Sequence, residues 1–193
     1  MIYLASRSPR RRDLLDQLGV DFEILETDVD ESPLAGETPA ALVQRLAVSK
    51  ADAGWRQLGR PGARLVLGAD TIVVVDGTVL GKPRDTAHAR ELLMRLSGRC
   101  HQVLSAVALA GAGATHARLS ESRVCFRALS PAECAAYAAS EEPLDKAGGY
   151  GIQGRAAAFV TELHGSYSGV VGLPLYETAE LLSEAGVPLF PVT

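Results

Sequence analysis

The chain has 193 residues, 47% apolar and 22% charged, which is ordinary globular composition and enough to bury one core without staples. A net charge of −4 excludes a global electrostatic footprint for polymeric nucleic acid. No run approaches ~18 apolar residues and serine and arginines interrupt the first apolar stretch, so neither a membrane span nor a leader is expected.

Residues 1–6 read as a short strand. Ser8-Pro9 supplies an N-cap and a first helical position; Leu14, Leu15 and Leu18 follow at helical spacing, and Gly19 stops the helix. Residues 21–27 alternate as a second strand. Thr38-Pro39 opens a second helix with Leu42, Val43, Leu46 and Ala47 on one face. Residues 64–75 are rich in β-branched side chains and predict a buried strand. Asp76-Gly77 is a hairpin signal that returns the chain through Val79 and Leu80. Asp85 caps a helix with the stripe Ala89, Leu92, Leu93 and Leu96, ended by Gly98. Residues 101–110 and 117–126 suggest an antiparallel hairpin. Ser130-Pro131-Ala132-Glu133 is a capping box opening a helix to about residue 139. A glycine-rich stretch follows, then a strand over 156–163. The last helix starts at Leu173-Pro174 and turns Leu175, Ala179, Leu182 and Ala185 to the core. With no repeat and no separating linker, residues 1–193 read as a single mixed α/β domain with hairpins.

The glycine-rich stretch runs Leu144-Asp145-Lys146-Ala147-Gly148-Gly149-Tyr150-Gly151-Ile152-Gln153-Gly154. Its literal GxGxxG is not a dinucleotide fingerprint, because a polar, proline-broken segment precedes it and no phosphate-capping helix follows. Asp145, Lys146 and Gln153 inside the turn residues point instead to a loop that approaches a small anionic ligand. Ser6, Arg7, Ser8, Arg10, Arg11 and Arg12 crowd a strand-to-helix junction. Basic residues at a helix N-terminus oppose the macrodipole, which argues for a bound anion. Asp70, in Gly68-Ala69-Asp70-Thr71, is a carboxylate inside an apolar strand and needs a partner or a cation. Lys82, between Gly81 and Pro83, sits at an element end from which it can reach a phosphate. Glu31 and Lys50, taken alone, read as solvated charges. Asp76 reads as a turn residue. His88, His101, His116 and His164 show no ligand spacing and read as structural or exposed. Cys100, Cys125 and Cys134 lack a CxxC spacing; they point to buried thiols in a reducing, cytoplasmic compartment, without a disulfide frame or zinc site.

Four ordered motifs carry a resemblance: Ser6-x-Ser8-Pro9-Arg10-Arg11, Gly68 to Thr71, Lys82-Pro83 and Asp145 to Gly154. From Leu4 to about Leu182 the chain resembles the Maf family of nucleoside triphosphate pyrophosphatases. Arg10, Thr71 and Gln153 make it most similar to the branch acting on dTTP and UTP. The resemblance implies a two-lobed, Maf/ITPase-like α/β fold around a central mixed sheet with flanking helices and a substrate cleft. It implies hydrolysis of a nucleoside triphosphate to the monophosphate and pyrophosphate, with a divalent cation (Mg, Mn or Co). It implies Asp70 as general base, Ser6, Arg11, Lys50, Lys82 and Lys146 as substrate-binding residues, and Glu31 with Asp70 as the metal pair. Arg10, Thr71 and Gln153 would read the base, and a homodimer is implied. The rival readings are a pyrophosphatase for 7-methyl-GTP or another modified nucleotide, and a non-catalytic nucleotide-binding regulator of cell division.

Overall fold

The computed structural model describes residues 1–59, 64–140 and 142–189. Strand β1 (Ile2–Ala5) is buried throughout and has a parallel neighbour on each side. These are β2 (Phe22–Leu25), in register Ile2↔Phe22, and β3 (Val66–Val75), in register Tyr3↔Val66. Parallel pairs need long crossovers, and two helices supply them: α1 (Pro9–Asp16) and α2 (Pro39–Gln57). Hairpins follow. Asp76 and Gly77 both take positive φ, 50° and 72°, and turn β3 into the antiparallel β4 (Thr78–Leu80). After α3 (Thr86–Leu96) come β5 (Cys100–Ala110) and β6 (Thr115–Phe126). They are neighbours in the sheet, and the connector 111–114 is too short for anything but an antiparallel turn. Helix α4 (Pro131–Ala138) opens with the expected capping box. Strand β7 (Val160–His164) returns antiparallel to β6. The order is β2-β1-β3-β5-β6-β7, with β4 on β3: a mixed α/β sheet of seven strands, as expected.

The chain forms two compact units. The first comprises Met1–Asp70, Ser105–Ser120 and Gly172–Thr193; the second comprises Thr71–Leu104 and Glu121–Val171. In the first, α2 buries Leu42, Val43, Leu46, Ala47 and Ala51. Its backbone lies so close to β3 that a Cβ on Gly68 would run into Ala47 O and would stand 2.5 Å from Ala51 N. In the second, Phe126, Tyr137, Tyr150, Phe159 and His101 make edge-on ring contacts around one cluster.

Four expectations are corrected. Residues 155–159 form a 3-10 turn that buries Ala156 and Phe159, and pairing with β6 begins only at Val160. Alanines are weak strand formers, and three precede Phe159. A short helix α5 (Tyr167–Val171), unseen in the sequence, follows β7. In α6 (Leu175–Glu184) the buried stripe is Thr178, Leu181 and Leu182, whereas Ala185 is exposed. Thr178 is tolerated there because its hydroxyl donates to Pro174 O at 2.7 Å. Finally, Cys100 and Cys125 are not thiols: strand pairing brings their Cα atoms 3.9 Å apart and they form a disulfide, leaving Cys134 free and buried. Glu141, the first residue of the polar run before the glycine-rich stretch, lies outside the described residues.

Candidate active site

In the first unit the chain leaves β1 at Ser6, which is 8% exposed. Its Oγ accepts the Ser8 N–H at 3.2 Å and an Arg11 Nη1–H at 3.4 Å. Ser8 holds the expected N-cap position ahead of Pro9, but its hydroxyl makes no capping bond. Arg11 is half-buried and donates Nε–H to Gly172 O at 2.7 Å. Gly172 has φ of +141°, a region that favours glycine, so the carbonyl that orients Arg11 depends on that residue type. Burial pulls the Arg11 pKa down; the Asp70 carboxylate opposes that, Arg10 adds to it, and Glu31 opposes it. Arg10, also half-buried, precedes Arg11 on the helix.

Asp70 is 8% exposed on β3. The Lys50 ammonium lies 2.7 Å from its Oδ1 and 2.6 Å from Glu31 Oε1. The reading of Lys50 as a solvated charge is thus corrected: it bridges two carboxylates with its side chain only 13% exposed, whereas Glu31, 57% exposed, stands in solvent as read. A charge removed from water must be paired, and Gly68 lets α2 approach β3 closely enough to pair it. Two carboxylates converging on one cation position also fit a divalent ion. Among the described residues no group of three or more His, Cys, Asp or Glu is suited to a metal, and Glu31 and Asp70 are the two carboxylates that meet at Lys50.

In the second unit Thr71 follows Asp70 on β3 and is half-buried. The hairpin register Val73↔Leu80 runs β4 back along that strand, and Lys82 follows two residues later with an exposed side chain. The glycine-rich stretch docks on the same hairpin. Gly148 N–H donates to Gly81 O at 3.1 Å, and a Cβ on Gly148, at φ +71°, would stand 2.9 Å from Val73 Cγ2. Among the described residues neither a strand directly before it nor an α-helix directly after it is present, so the rejection of the dinucleotide fingerprint holds. Lys146 faces inward: Nζ donates to Glu142 O and to Asp145 Oδ1, each at 2.6 Å. Gln153 is exposed. Tyr150 is buried, and its hydroxyl lies 2.8 Å from His101 Nε2. His101 is thereby structural, as expected, and burial pushes its pKa down to about 4. Asp76, also structural, takes both carboxylate oxygens to Arg99 Nη2 at 2.6 Å.

Sequence reasoning missed Gly172, Tyr137 and Glu142. Gly172 carried a weak signal, a glycine two residues before a helix-opening proline. The other two carried none, because their partners lie across a turn.

The Maf-like protein family matches residues 1–185. A dTTP/UTP pyrophosphatase of Nitrosomonas europaea is 55% identical, covering 98% of this chain and 96% of its own. A dTTP/UTP pyrophosphatase of Aromatoleum aromaticum is 52% identical (97% and 97%), and one of Shewanella oneidensis 52% (96% and 98%). Among solved structures, the Ham1 protein of Staphylococcus aureus aligns over 65% of this chain and 71% of its own, at 18% identity and a TM-score of 0.47, a likeness too partial to argue from. With nearly its whole length matched, this chain belongs to the Maf-like protein family.

Proposed function

We infer that this protein is a nucleoside triphosphate pyrophosphatase that hydrolyses dTTP and UTP to the monophosphate and pyrophosphate, a task of nucleotide pool sanitation. The family match and relatives of that name at 50–55% identity support the substrate. The observation that carries the chemistry is the buried Asp70 carboxylate held by Lys50 beside Arg11. Lys50 takes Oδ1, and Oδ2 is engaged by no hydrogen bond among the described residues. Asp70 is the general base that accepts the proton of a water attacking the α-phosphorus. Ser6 and Arg11 hold phosphate oxygens, and Lys50 and Lys82 neutralise their charge. Glu31 and Asp70 would hold a divalent cation (Mg, Mn or Co), which supplies further charge neutralisation when bound. Thr71, Arg10 and Gln153 read the base; the Gln153 amide donates and accepts at once, which matches a pyrimidine carbonyl beside a ring N–H. Lys146, whose ammonium already serves Glu142 and Asp145, braces the loop. The protein works in the cytoplasm, where its substrates are, as a homodimer; no helix of the described residues is long and apolar enough to cross a membrane.

The test is pyrophosphate release from the four common ribonucleoside triphosphates, dTTP and 7-methyl-GTP, with and without chelator. The reading expects dTTP and UTP to lead and chelation to stop turnover. A lead by 7-methyl-GTP would reassign the substrate, and no release from any nucleotide would favour a binding regulator.

A further inference from the structure

Two polar side chains of the second unit meet under the glycine-rich turn. Tyr137, on α4 and 4% exposed, donates its hydroxyl proton to Glu142 Oε1 at 2.9 Å and accepts the Gly151 N–H at 3.1 Å. Glu142 Oε2 accepts the Arg155 N–H at 3.3 Å. The turn between them closes with Gly154 N–H on Gly151 O at 3.0 Å. The pair therefore grips the backbone at both ends of residues 151–154, and exposed Gln153 lies inside that span. The carboxylate also accounts for the glycines. A Cβ on Gly154 would run into Glu142 Oε1, and one on Gly151 would stand 3.4 Å from it and 2.7 Å from Lys146 Cε. Hydrogen bonds to a carboxylate are stronger and more directional than neutral ones. The Tyr137 ring is itself fixed edge-on against Phe159, with centroids 5.3 Å apart. Burial raises the Tyr137 pKa, so the hydroxyl keeps the proton that it donates.

We propose that Tyr137 and Glu142 are positioning residues for base selection: together they hold the 151–154 turn in the conformation that presents the Gln153 amide to a pyrimidine. This rests on Gln153 as the base-reading residue, and the experiment separates the two claims. Tyr137→Phe, Glu142→Gln, Gln153→Ala and the double variant Tyr137→Phe with Gln153→Ala are compared with wild type. The readouts are kcat and KM for UTP, dTTP and GTP, with thermal midpoints alongside. Tyr137→Phe keeps the ring and removes the relay; Glu142→Gln puts an NH2 group where one of two donors needs an acceptor. Tyr137→Phe and Glu142→Gln are each expected to raise KM for UTP and dTTP by ~10-fold, the scale of one hydrogen bond, with kcat and the GTP values within about two-fold. The double variant should lose no more preference than Gln153→Ala alone. An equal loss for every substrate makes the pair plain structural support and overturns the proposal. So does an unchanged preference in Tyr137→Phe and Glu142→Gln while Gln153→Ala abolishes it, and in that case Gln153 keeps its role. If Gln153→Ala itself retains the preference, base reading by Gln153 fails and this proposal fails with it. Should Tyr137→Phe not fold, Glu142→Gln, on a half-buried side chain, carries the same comparison.

Discussion

In the proposed mechanism Asp70 is the residue on which the chemistry turns. A carboxylate on a buried strand is costly unless something holds it, and Lys50 holds it at 2.7 Å. Asp70→Asn keeps the shape and removes the base. Turnover of UTP should fall by at least ~10²-fold, the usual scale for a general base, while equilibrium binding of UTP to the variant stays near that of wild type. Turnover close to wild type would remove Asp70 from the role. This residue was legible in the sequence because polarity was out of place in an apolar run. Glu31 and Lys50 were legible only through the family resemblance, since a loop glutamate and a helix lysine look solvated until α2 is laid on β3. Lys146 was visible as a charge in the loop, but its inward bonds to Glu142 and Asp145 come from a turn that spacing does not encode.

Among the elements, the approach of α2 to β3 decides whether Lys50 reaches Asp70 at all. Gly68 is a point of close approach, with Ala47 and Ala51 of α2 against it. Gly68→Ala forces the helix outward. We expect a loss of about 2 kcal/mol in urea unfolding, within the usual range for overpacking, together with a drop in kcat because the Lys50–Asp70 pair is stretched. Unchanged stability and kcat would mean that the helix yields freely and the close approach is incidental. Elements with strong local signals were read correctly: the Thr38 cap, the Asp85 cap, the Ser130–Glu133 box and the Asp76-Gly77 turn all encode their conformation within four residues. Elements set by distant partners were not. The 3-10 turn at 155–159 and the buried face of α6 answer to packing, and the disulfide answers to a strand register that cysteine spacing does not reveal.

At the scale of the whole molecule, His101 gives stability a pH dependence. It is 3% exposed, and burial holds its pKa at about 4 against an ordinary 6.5. The unfolded chain therefore binds more protons between those values, so stability is full above pH 6.5 and falls as pH drops toward 4. The total loss is about 3 kcal/mol. Glu37 and Glu133, lowered from 4.5 to about 2 by Arg45 and Arg127 respectively, contribute stability that is lost only as pH falls from about 4.5 toward 2, below most of the His101 window. Thermal midpoints from pH 7.5 to 4 should decline in wild type and stay flatter in His101→Gln; equal declines would exonerate His101.

The proposed reaction is defined by where water attacks. UTP hydrolysed in ¹⁸O-labelled water, with both products analysed by mass spectrometry, tests this directly. Attack at the α-phosphorus predicts one ¹⁸O in the uridine monophosphate and none in the pyrophosphate at the moment of release. Label in the pyrophosphate instead, or release of orthophosphate with the diphosphate nucleotide, would contradict it.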